Sequence, residues 1–126
     1  MVATILDIKK HNNLYRVELN LYNQTLYMVT LGLERNIKVG SRVKLSIPPA
    51  QIAIAKDFSG EISYSNILNS TIVSIKNGKI LNSITLTIGK TTLEAITSSD
   101  IKLKAGDNIK ALLKATELSI VEVLDD

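Results

Sequence analysis

A chain of 126 residues can fold as one domain or as two very small ones, and 45% apolar content with only Phe58 and four tyrosines as aromatics implies a core of Ile, Leu and Val. Cysteine is absent, which excludes disulfides, thiolate catalysis and thiolate metal sites together. The formal charge of +3 is uneven: residues 2–57 carry eight Lys or Arg against four acids, and 58–126 carry seven Lys against eight. A basic first half either attracts anions or blunts exposed strand edges with lysine.

In chain order, the start M-V-A-T-I-L-D-I-K-K has no basic stretch followed by a long apolar run, and nowhere do 18 apolar residues follow one another, so a soluble cytoplasmic protein is expected. Tyr15, Val17, Leu19 and Leu21 alternate with Arg16, Glu18 and Asn20, the period of two that puts one face of a strand inside. Turn residues flank this stretch at His11-Asn12-Asn13 and at Tyr22-Asn23-Gln24, and recur around Gly40. Residues 58–66, F-S-G-E-I-S-Y-S-N, read as a connection.

Beyond it the pattern repeats. A shift of 67 pairs Thr4, Ile5, Ile8, Lys9, Leu14, Leu19, Thr25, Leu26 and Thr30 with Thr71, Ile72, Ile75, Lys76, Leu81, Leu86, Thr92, Leu93 and Thr97. After a one-residue slip, Gly40, Lys44 and Ile54 pair with Gly106, Lys110 and Ile120. Ile84, Leu86 and Ile88 again alternate with polar residues, and turns fall at Asn77-Gly78-Lys79, Gly89-Lys90 and Gly106. Hydroxyl and carboxylate caps at Ser98-Ser99-Asp100, ahead of Ile101-Lys102-Leu103, predict one helical turn. The expectation is an all-β chain of two tandem five-stranded OB-like barrels, each with a short helical turn: domains 1–57 and 67–126, joined by 58–66.

Three stretches of the second copy carry a resemblance: S-Y-S-N-I-L-N-S-T-I-V-S-I-K-N-G (63–78), L-T-I-G-K-T-T-L-E-A-I-T-S-S-D (86–100) and L-K-A-G-D-N-I-K-A-L-L-K-A-T-E-L-S-I (103–120). Together they resemble the Mop domain, the oxyanion-binding relative of the TOBE domain. That family's landmarks are an S-A-R-N-type tetrapeptide, a G-T-V-x-x-I strand, an A-x-I-T-x-x-S stretch, an L-K-x-G-D turn and an I-K-A-x-x-V strand. All five have counterparts here in order. The first copy resembles the family only through the duplication, as a divergent Mop/TOBE-like domain.

The resemblance implies binding of molybdate or tungstate, as an oxyanion with no metal directly coordinated and no organic cofactor. It further implies storage, buffering or homeostasis in the cytoplasm, and a homo-oligomer, a trimer, with sites at subunit interfaces. Molybdenum transport or cofactor-biosynthesis proteins are the partners it suggests, with neither nucleic acid nor membrane. A tetrahedral dianion accepts hydrogen bonds only, so its site needs donors. The family brings together Ser63, Tyr64, Ser65 and Asn66 with Thr97, Ser98 and Ser99 and with Lys114 and the Ala115 amide; Thr30 is the counterpart of Thr97 in the first copy. Two departures narrow this. Ser65 replaces the arginine of S-A-R-N, predicting weaker affinity, and Pro48-Pro49 stands where the second copy has Lys114-Ala115. One kind of site, supplied chiefly by the second copy, is expected.

An enzyme is not expected. His11 is the sole histidine, Asp125-Asp126 is a chain-end carboxylate pair, and no phosphate-loop fingerprint is present. Two other functions use the same fold. A ligand-sensing or regulatory partner module of a molybdate transport or transcription system would bind the same anion. A single-stranded nucleic-acid binder would stack bases on Tyr15, Tyr22, Tyr27, Tyr64 or Phe58.

Overall fold

The computed structural model describes residues 1–124, so the Asp125-Asp126 pair lies outside the described residues. Ten strands form two five-stranded antiparallel sheets. The first copy supplies β1 (Val2–His11), β2 (Leu14–Leu21), β3 (Gln24–Thr30), β4 (Arg42–Ser46) and β5 (Ile52–Ala55); the second supplies β6 (Asn66–Asn77), β7 (Asn82–Ile88), β8 (Thr91–Thr97), β9 (Asn108–Leu113) and β10 (Ser119–Leu124).

The sheets do not follow the halves of the sequence. Their strand orders are β10-β4-β1-β2-β3 and β5-β9-β6-β7-β8, so each copy gives its last strand to the sheet of the other. The two compact units are accordingly unit 1, Met1–Ile47 with the chain from Lys114 onward, and unit 2, Pro48–Leu113. The spans 1–57 and 67–126 describe the duplication of the sequence, whereas the units are built across it. Both donated strands keep the repeat register: Ile120 faces Leu45 in one sheet and its counterpart Ile54 faces Ala111 in the other.

Period-two patterning fills each unit. Ile5, Val17, Leu19, Leu21, Leu26 and Met28 are buried in unit 1, and Leu68, Ile72, Ile84, Leu86, Ile88 and Ala95 in unit 2. The repeat extends to irregularities. Strand β1 bulges between Ile5 and Asp7 and β6 between Ile72 and Ser74, which turns Leu6 and its counterpart Val73 outward. Gly40 donates to the Ile5 carbonyl and Gly106 to the Ile72 carbonyl, both at 2.8 Å, and both glycines sit at φ +92°, where a Cβ is strained. Tyr22 and Asn23, with φ of 48° and 64°, form the two-residue left-handed turn that closes β2 onto β3.

The helical turn predicted over Ser98–Leu103 is not there; residues 98–104 are irregular. Hydroxyls compete for the amides a helix would use: Thr97 Oγ1 accepts from Ser99 N at 3.0 Å and Ser99 Oγ from Ile101 N at 3.2 Å. The short helical turns are instead 3-10 turns at Pro49–Gln51, which packs against β8, and Ala115–Glu117, which packs against β3. They occupy equivalent places just before each donated strand.

The L-K-x-G-D landmark is a turn in both copies. The Lys104 amide donates to Asp107 Oδ2 at 3.0 Å, and in unit 1 the Lys38 amide donates to Ser41 Oγ at 3.1 Å. This amide bond, followed by the nearby Lys56 ammonium at 3.5 Å, holds the Asp107 carboxyl below the usual carboxylate range. A carboxyl lowered by folding contributes stability above its unfolded pKa and loses that contribution as pH falls through the folded value. Asp107→Asn is therefore expected to lower the urea midpoint at neutral pH and to show a smaller further loss on acidification than the parent. Equal acid sensitivity of the two proteins would exclude Asp107 as a contributor.

Candidate functional site

Asn66 opens β6 and is fully buried, one of two buried polar residues among those described, the other being Ser70. Ser63, Tyr64 and Ser65 lead into it as irregular backbone, with the two serines exposed and Tyr64 half-buried. The register sets Asn66 directly opposite Leu113, the last residue of β9. Lys114 follows at once, exposed, and caps the 3-10 turn: its carbonyl accepts from Glu117 N at 3.0 Å. The buried Ala115 opens that turn. Strand pairing thus places the S-Y-S-N tetrapeptide next to the end of β9, where Lys114-Ala115 begins.

The third predicted cluster lies elsewhere. Thr97 pairs with Asn82, which pairs with Asn77 at the far end of β6. From Asn66 to Asn77 the strand path is about 35 Å at ~3.3 Å per residue. Ser99 lines a cleft of about 500 Å³ in unit 2 with Asn77, Asn82, Lys102 and Asp100, and its carbonyl accepts from Asn82 Nδ2 at 3.2 Å. Ser98 is exposed beside it. The pairing within one chain therefore sets Thr97, Ser98 and Ser99 apart from Ser63–Asn66.

Thr30 differs from its counterpart. Its Oγ1 donates to the Gly32 carbonyl at 3.2 Å, and the cleft of about 260 Å³ that it lines in unit 1 also contains Glu34 and Glu122. Two carboxylates oppose a dianion there. Pro48, the counterpart of Lys114, brings neither an ammonium nor a backbone N–H to the other 3-10 turn. The first copy thus has Pro48 where the second has Lys114, and no S-x-x-N tetrapeptide precedes it.

A polar patch on the outer face of unit 2 escapes sequence reading: Asn69, Thr71, Thr87, Asn108 and Lys110 line a cleft of about 500 Å³. Its one signal in sequence is polar residues two apart, Asn69/Thr71 and Asn108/Lys110, which ordinary solvated strands share. Among the described residues no group of His, Asp or Glu could hold a metal ion, and no helix is long and apolar enough to cross a membrane.

Two curled five-stranded sheets that exchange their last strands, each preceded by a 3-10 turn, define a tandem OB-like barrel protein. Among solved structures the chain is similar to the cytoplasmic molybdate-binding protein ModG, in a form with molybdate bound: the TM-score is 0.85 at 22% identity, covering 94% of this chain and 92% of that one. No protein-family model matches the sequence, and no curated protein matches it.

Proposed function

We propose that this chain binds tetrahedral oxyanions, molybdate or tungstate, and serves in their storage, buffering or homeostasis in the cytoplasm. The likeness to a molybdate-binding protein over nearly its whole length carries this reading. The donor chemistry agrees with it: Asn66 opens β6 with the hydroxyls of Ser63 and Ser65 just before it, and it stands opposite Leu113, the last residue of β9, which Lys114 follows. Hydroxyls, an amide and one ammonium can surround an anion that only accepts hydrogen bonds. In this reading Ser63, Tyr64, Ser65, Asn66, Lys114 and Ala115 come from one subunit. Because strand pairing keeps Thr97, Ser98 and Ser99 apart from them, those residues come from a neighbouring subunit of a homo-oligomer, a trimer. Thr30, beside two carboxylates, contributes least. The protein works by binding and not by catalysis.

Native mass spectrometry with molybdate, tungstate or sulfate added reports subunit number and bound anion together. A trimer that takes up molybdate or tungstate in preference to sulfate is expected. A strict monomer carrying no anion would overturn both the function and the shared-site arrangement.

A further inference from the structure

The cleft on the outer face of unit 2 is built from two adjacent rungs of its sheet. Asn108, Thr71 and Thr87 face one another across β9, β6 and β7, and Lys110 faces Asn69 one rung along on the same side. The internal hydrogen bonds of this face consume acceptors. Thr71 Oγ1 donates to Asn108 Oδ1 at 3.2 Å, and the Lys110 ammonium donates to Asn69 Oδ1. With both amide oxygens engaged, the Asn108 amide hydrogens, the Thr87 hydroxyl and the remaining ammonium hydrogens are the groups offered to a ligand. These are donors, and one is charged.

The flanks are small on one side and carry other chemistry on the other. Ala55 stands opposite Lys110 and Gly89 lines the cleft beside Thr87, so neither fills it. Asp57 and Phe58 line it from the segment after β5, Asp57 in the left-handed region at φ +54°. A carboxylate accepts from hydroxyl groups and repels a bare dianion, and a half-buried phenyl ring packs on the C–H face of a sugar. The corresponding rungs of unit 1 hold Arg42, Thr4 and Asn20, then Lys44 and Val2, with Lys44 opposite Glu122 in place of an alanine. The donor-rich face whose lysine stands opposite an alanine belongs to unit 2.

We propose that this cleft of unit 2 binds a sugar phosphate, with Lys110, Asn108 and Thr87 on the phosphate and Asp57 and Phe58 on the sugar. The volume, about 500 Å³, exceeds what an inorganic oxyanion fills. The site is independent of the oxyanion site proposed above, because none of its residues belongs to that set.

Titration of the full-length protein, saturated with molybdate, with ribose 5-phosphate, inorganic phosphate or ribose, followed by amide and side-chain NMR shifts, tests it. Ribose 5-phosphate is expected to shift Thr71, Thr87, Asn108 and Lys110 and to bind about tenfold more tightly than inorganic phosphate, with ribose weaker still. Lys110→Met should weaken ribose 5-phosphate at least about tenfold, the effect of losing a charge-assisted bond, while leaving molybdate uptake unchanged. Asp57→Asn, which the left-handed backbone tolerates, should narrow the gap between ribose 5-phosphate and inorganic phosphate. Absence of shifts at these residues, equal binding of inorganic phosphate and ribose 5-phosphate, or a Lys110→Met protein that binds unchanged would each overturn the proposal. Thr87→Val provides a second, uncharged variant should Lys110→Met perturb the fold.

Discussion

Ending the chain at residue 113 is expected to unfold unit 1, although every residue of its first four strands remains. The deletion removes β10 and the buried Ala115 and Leu118, and strips β4 of its partner on one side. A buried leucine alone is worth about 1.5–3 kcal/mol, and the lost strand adds its backbone pairing to that, against a total stability of about 5–15 kcal/mol for a small domain. Unit 2 keeps all five strands in the truncated chain, since β5 lies within it. Hydrogen exchange should therefore show protected amides in β6–β9 and rapid exchange in β1–β4. The same exchange of strands predicts the behaviour of separated halves. A fragment 58–126 carries β10 but lacks β5, so it should self-associate by docking β10 of one molecule where β5 normally lies. Mixing it with fragment 1–57 should instead give a one-to-one complex, because each supplies the strand the other lacks. Light scattering after size exclusion measures both. A fragment 58–126 that is monomeric and as protected as the parent would refute the coupling.

The strands, most turns and the duplication are legible in the sequence because a half-buried strand must alternate and a left-handed turn favours Asn or Gly. Alternation needs no partner to be recognised: Val17, Leu19 and Leu21 point inward whichever strand lies beside them. That is also why the strand exchange is illegible. Ile54 and Ile120 carry the same pattern, and nothing in either says whether it pairs with Ala111 or with Leu45. The helical turn is expected in the wrong place because serine and threonine that cap a helix can equally close turns two residues long, as Thr97 and Ser99 do. The one-residue slip in the repeat has a structural location: the loop between β3 and β4 is one residue longer than that between β8 and β9. Of the site, the tetrapeptide and Lys114 can be named from the resemblance, but the distance of Thr97 from Asn66 depends on pairing through β7 and is absent from the local sequence.

Lys114→Met is expected to lower molybdate affinity by about tenfold or more with the fold intact. Lys114 is exposed, and its methylene stem is largely retained in methionine, so the loss should fall on the ammonium. A hydrogen bond to a charged group is worth about 1.5–3 kcal/mol, which corresponds to roughly 10- to 150-fold in binding. Asn66 offers no such clean test, being fully buried at the start of β6, where substitution also disturbs packing. Ser65 permits the reverse experiment. It is exposed in the irregular segment, so Ser65→Arg adds a guanidinium without displacing core atoms. Affinity should rise about tenfold at low ionic strength, and the gain should shrink as salt shortens the Debye length from ~30 Å at ~0.01 M to ~8 Å at ~0.15 M. Titration calorimetry of the parent and both variants at those two salt concentrations measures this, with urea midpoints as the check on folding. Unchanged molybdate binding in Lys114→Met would remove the lysine from the site, and no gain in Ser65→Arg would show that the tetrapeptide does not face the anion.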